Sequence, residues 1–166
     1  MIISAIPAVD FDAVKEEYAK ELHLSTMPAS NDALLEDGQG NLVFIEFKNC
    51  KITKNLQYEI RKKIYDSCLI FSDLTSETLS YMRKNMDYIL VYNESENLRN
   101  TDDKSIEAKN KTVQQSPSQD LLAKTIIGYS RKEFIHFGLN KFKTYCFRDV
   151  HSYTEAEFIN YLSHLK

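Results

Sequence analysis

A chain of 166 residues is about one domain's worth, and with 43% hydrophobic residues it can bury a single sizeable core. Its 21 Lys and Arg against 24 Asp and Glu leave a net charge of -3, which excludes a protein that coats nucleic acid by bulk attraction and leaves only local contact. Cys50, Cys68 and Cys146 form an odd set without C-x-x-C spacing, which excludes a zinc knuckle and a paired disulfide framework and fits a reducing cytoplasm.

Met1 to Asp10 is briefly apolar, lacks a basic leader and is interrupted by Pro7, so neither a secretory signal nor an organelle presequence is expected. No run approaches the roughly 20 apolar residues of a membrane-spanning helix. Phe11, Val14, Tyr18 and Leu22 recur at helical spacing behind Asp10 and Asp12, which predicts a first helix with acids in its first turn. After Met27-Pro28 come two strand-like runs, 31–36 and 41–48, joined by Asp37-Gly38-Gln39-Gly40, a connection suited to a hairpin. Leu42 to Phe47 is apolar on both faces for most of its length, as the middle strand of a sheet would be.

A long helix is predicted from Thr53 or Lys54, with Leu56, Ile60, Ile64 and Cys68 on one stripe, and a second helical piece over 76–85. Met86 to Tyr92 reads as a third strand. The stretch 94–119 turns polar and charged and reads as a mobile surface insertion in an otherwise single domain spanning 1–166. A helix is expected over 120–129, a strand over 142–150, and a final helix starting at Thr154-Glu155-Ala156-Glu157. The order predicts an α/β fold with a mixed sheet flanked by helices.

The informative residues are Asp32, Glu46 and Lys48. Alternation along a strand puts Glu46 and Lys48 on one face. With Gly38-Gln39-Gly40 as the loop, Glu36 pairs with Leu42, Leu34 with Phe44, and Asp32 falls opposite Glu46. Two facing carboxylates repel unless a cation sits between them. Hard oxygen ligands, few in number and with room for water, suit Mg2+, with Mn2+ able to stand in. A lysine beside such a cation can orient a water or stabilise charge on phosphate.

At these residues the chain resembles the PD-(D/E)xK nuclease superfamily, with Asn31-Asp32 and Glu46-Phe47-Lys48 as the two halves of the motif and helix, hairpin, helix, strand as the element order over about residues 10–92. The resemblance implies a three-layer restriction-endonuclease-like core and a Mg2+-dependent nuclease acting on nucleic acid, DNA in the first instance. In it Asp32 and Glu46 bind the metal and Lys48 assists the attacking water. Asn31 departs from the motif's proline, and Gln57 is followed by Arg61 where one branch of the superfamily has Tyr, which leaves the branch and substrate open. Glu21 is a supplementary acid by resemblance and an ordinary solvated helix residue by position. The resemblance also allows a homodimer or a protein partner.

Charge supports a phosphate contact nearby. Residues 1–47 carry two bases against nine acids, whereas 48–63 carry six bases and one acid. Lys51, Lys54, Gln57 and Arg61 are therefore candidate nucleic-acid contacts, and Lys62 and Lys63 read as the wet face of the helix. The four histidines lack ligand spacing, the Tyr and Phe residues read as core rather than a base-stacking platform, and Cys50 and Cys68 read as small core residues. The alternatives are a solvated sheet face with Asp32 merely turning the chain, and a non-catalytic member of the same fold serving as a binding or interaction module.

Overall fold

The computed structural model describes residues 6–97 and 135–165; the helix expected over 120–129 and most of the insertion expected at 94–119 lie outside them. The chain enters as strand β1 (Ala8–Asp10) and runs directly into helix α1 (Phe11–Glu21). Asp10 makes that switch possible, because its side chain accepts from the backbone N–H of Ala13 at 3.1 Å and caps the helix. Strands β2 (Ala33–Glu36) and β3 (Leu42–Lys48) follow as a hairpin. Helices α2 (Lys54–Thr75) and α3 (Leu79–Asn85) then lead to β4 (Met86–Tyr92) and a helical turn, α4 (Glu94–Asn97). From residue 135 onward come a 3-10 turn (Asn140–Phe142), strand β5 (Asp149–Thr154) and helix α5 (Glu155–His164).

The strands form one mixed sheet in the order β1-β2-β3-β4-β5. Pairings β1–β2 and β2–β3 are antiparallel, and β3–β4 and β4–β5 are parallel. The expected hairpin register holds, with Leu34 opposite Phe44 and Glu36 opposite Leu42. Asp37 sets the turn, accepting from the N–H groups of Gln39 and Asn41 and from the Asn41 amide, while Gly38 and Gly40 take positive φ angles of 75° and 85°.

Residues of β3 alternate between two cores, so the sheet is the middle of three layers. Val43 and Ile45 pack with Leu35, Ile89 and Val91 against Phe158 of α5. Phe44 faces the other way, into the core of α1, α2 and α3, and meets Phe11, Phe71 and Phe147 edge-on at 4.9, 6.1 and 6.3 Å. Glu46 and Lys48 follow at the same parity, on the α2 side.

Several boundaries differ from expectation. The edge strand β1 was not anticipated: its three residues are exposed and earn their pairing only from β2. The expected strand over 142–150 is a compact turn as far as Phe147, with Thr144 at φ 63° and Cys146 and Phe147 both donating back to the Phe142 carbonyl. Extended backbone resumes only where Asp149 meets Asp87 across β4. Helix α2 ends at the left-handed Ser76 (φ 59°), and α3 starts three residues later behind Thr78, whose side chain caps Tyr81. The polar stretch from 94 begins as an ordered turn, since Asn97 bonds to Ile52 N–H and Cys50 C=O. Cys50 itself is exposed, not core. Among the described residues no helix is long and apolar enough to cross a membrane.

Burial alone would raise the Asp37 pKa, but the hydrogen bonds from Asn41 and Gln39 outweigh it and hold the carboxyl below its ordinary 3.8. That depressed value means the turn's contribution is complete above the unfolded-state pKa and is lost as pH falls through the folded one. Asp37→Ala is expected to lower stability by about 1–3 kcal/mol at pH 7. In urea titrations the gap between variant and parent should close at strongly acidic pH; a gap independent of pH would contradict the role given to the carboxylate.

Candidate active site

The site forms where the hairpin's open end meets α2. Asp32 lies one residue before β2, and its N–H donates to the Ile45 carbonyl at 3.0 Å, which continues the ladder and sets it across from Glu46. Its carboxylate is oriented by the Phe47 N–H, 2.7 Å from Oδ2. Glu46 sits in the middle strand with its side chain 0% exposed. Lys48, two residues on, donates to Glu46 Oε1. The structure thus brings Asp32, Glu46 and Lys48 together on one face.

The position between the carboxylates is held by an amine. Lys63 Nζ, carried by α2, lies 2.7 and 3.0 Å from the two Glu46 oxygens and 3.0 Å from Asp32 Oδ1. This corrects the wet-face reading of Lys63: its neighbour Lys62 is exposed, but one residue further around the helix the side chain turns inward beside the buried Ile60 and Ile64. The signal was its helical angle, close to the apolar stripe, which charge alone concealed. Two carboxylates and two ammonium groups make a cluster that is neutral on balance, so the protein itself supplies the cation that facing acids require.

The ionisation of the cluster follows from these contacts. Burial, then repulsion from Asp32, raises the Glu46 pKa against the opposing pull of Lys48 and Lys63. Burial would lower the Lys63 pKa, but Glu46 and Asp32 outweigh it and the ammonium is held charged. The Tyr88 hydroxyl is buried without a hydrogen-bond partner, and its pKa is pushed well up by burial first and then by the charges of Glu46 and Asp32.

No known protein family, curated protein or solved structure matches the chain. The chemistry of the site therefore has to be argued from its own atoms.

The segment leading to Asp32 is tied to α2. Asp66 accepts from Ala29 N–H at 2.8 Å, and Ser67 Oγ accepts from Asn31 N–H at 2.8 Å. A proline in place of Asn31 would have no N–H for Ser67. The Asn31 side chain is itself fully buried with both amide atoms unpartnered. On the other side of Lys63, Asp12 of α1 bonds to Ser30 and Lys15. Burial would raise its pKa, but these bonds and the charges of Lys15 and Lys63 hold it low. Asp12 is thus the α1 acid tied to the segment before Asp32, through Ser30, whereas Glu21 is exposed.

The remaining predicted residues do not converge on the carboxylates. Lys51 and Lys54 are exposed and make no ion pair among the described residues. Gln57 is half-buried. Arg61 lies about 200° around the helix from Lys63 and packs elsewhere: a Cβ on Gly138 would come within 2.8 Å of its Nη2, and its guanidinium lies over the Tyr58 ring. A cavity of about 370 Å3 opens at the carboxyl ends of the parallel strands β3 and β4, lined by Phe47, Lys48, Asn49, Tyr92, Asn93 and Glu155 among others. Lys48 borders both this cavity and the acidic pair.

No group of three or more His, Cys, Asp or Glu placed to hold a metal occurs among the described residues. Two carboxylates nevertheless converge on one cationic point, and hard oxygens with the rest of the shell left to water are the donor set Mg2+ prefers. The donor chemistry of Asp32 and Glu46 is compatible with such an ion only at the point that Lys63 Nζ holds.

Ser67→Ala removes the acceptor for a buried N–H and is expected to cost about 1–3 kcal/mol of stability, whereas Lys62→Ala on the solvent side of the same helix should be neutral. Thermal denaturation of both variants decides whether the Asp32 segment is anchored through Ser67.

Proposed function

We propose that this protein is a Mg2+-dependent nuclease of restriction-endonuclease-like type that hydrolyses phosphodiester bonds, with DNA as the first substrate to test. The observation that carries the reading is the convergence of Asp32 and Glu46 on a single cationic point with Lys48 alongside. Asp32 and Glu46 would hold the metal through their carboxylates. When bound, Mg2+ supplies Lewis-acid chemistry, lowering the pKa of a held water and polarising a phosphoryl oxygen.

The chain's own residues do the rest. The Phe47 N–H fixes one Asp32 oxygen, which leaves Oδ1 to face the cationic point. Burial of Glu46 keeps bulk water from competing for its oxygens and strengthens every charge interaction around it. Lys48 bonds to Glu46 and also lines the cavity at the strand ends, and its ammonium would steady charge developing on phosphate or orient the attacking water. Crevices outside the carboxyl ends of parallel strands are where α/β sheets receive ligands. The exposed Lys51, on the connection leaving β3, and Lys54, at the start of α2, are available to phosphates of a nucleic acid that enters there.

A second reading, a non-catalytic module of the same fold that binds nucleic acid or another protein, is favoured by the neutrality of the cluster. With Lys63 in place the carboxylates need no further cation.

Cleavage of plasmid and single-stranded DNA in Mg2+ or Mn2+ separates the two. The nuclease reading expects cleavage that EDTA stops and that Lys48→Ala or Asp32→Asn reduces about a hundredfold or more. Intact DNA under all conditions, or cleavage indifferent to EDTA and to both substitutions, would leave the module.

A further inference from the structure

We infer that Lys63 is the resident counter-ion of this site: its ammonium stands where a divalent cation would bind Asp32 and Glu46, so that the cation must displace it and the lysine sets the site's metal affinity. The inference rests on the metal-site reading above and goes beyond it, because it assigns to a helix residue outside the motif the control of how tightly the metal is held.

The contacts are mutually exclusive. Nζ lies within 3.0 Å of three carboxylate oxygens from the two acids, and a hard cation bound to the same oxygens would face an ammonium at nearly contact distance in a poorly screened pocket. Lys48 differs in kind. It shares Glu46 Oε1 with Lys63 but has no bond to Asp32 among the described contacts, so it flanks the pair instead of bridging it.

The Lys63 side chain can give way while its backbone stays in place. Its backbone is fixed by the buried Ile60 and Ile64 and by the bonds that the Asn31 and Ala29 N–H groups donate to Ser67 and Asp66. The side chain is 23% exposed, so a route to water exists along its flexible stem. In the metal-free protein the same ammonium offsets the repulsion between Asp32 and the buried Glu46, so one residue stabilises the empty site and opposes its loading.

Isothermal titration of the full chain with Mn2+ tests this. Lys63→Gln, which keeps an N–H donor but removes the charge, should bind Mn2+ about tenfold or more tightly than the parent. Lys62→Gln makes the same change in net charge on the solvent side and should leave the affinity unchanged. In EDTA, Lys63→Gln should melt below the parent, and saturating Mn2+ should raise its melting temperature by more. Unchanged or weaker affinity in Lys63→Gln, or equal tightening in Lys62→Gln, would overturn the counter-ion role while leaving the metal site standing. Silence toward Mn2+ in the parent and both variants would remove the metal site and this inference together. Binding by Lys63→Gln with a silent parent would be the strongest form of the competition.

Discussion

A carboxylate buried in the middle strand of a sheet must be neutralised by groups that the fold delivers to it. Glu46 has no access to bulk water, and Asp32, an acid of the same charge, lies across the hairpin from it. Lys48 arrives through the alternation of the strand and Lys63 through the docking of α2. The packing around them serves that meeting. Phe44, two residues before Glu46, anchors the strand among Phe11, Phe71 and Phe147, and Ile60 and Ile64 press α2 onto the same face. A buried charge cluster of this sort rarely adds net stability over an apolar core, so each charge in it depends on the partners the fold supplies.

The loop before Asp32 illustrates how position is held without regular structure. Residues Ala29 to Asn31 belong to no strand or helix, yet two of their N–H groups donate to side chains of α2 and the Ser30 hydroxyl donates to Asp12 of α1. Each bond satisfies a polar group that burial would otherwise leave orphaned. Asp32 is thereby fixed by the same helix that carries Lys63, and a shift of α2 would move both groups together.

Much of the scaffold was legible in order. The hairpin register followed from a three-residue loop closed by glycines at positive φ, the first two helices followed from their apolar stripes, and the start of the last followed from the capping box at Thr154. The strand Met86–Tyr92 was visible because its β-branched and aromatic residues form an unbroken run. The expectation failed where apolar residues do not alternate. Phe142, Cys146 and Phe147 are buried from a turn, and nothing local separates that from a strand. The exposed edge strand β1 lacked a pattern of its own.

Linear sequence sufficed to put Asp32, Glu46 and Lys48 on one face, because strand alternation and the length of a tight turn are local rules with fixed periods. It could not say which cation answers the two acids. That depended on the angle at which α2 packs on the sheet, a property of the assembled core. The same packing turned Lys63 inward and Arg61 away toward Gly138, although both are basic residues on one helix. Charge in a sequence has no direction until a helix is docked, and here docking decided which lysine became part of the site.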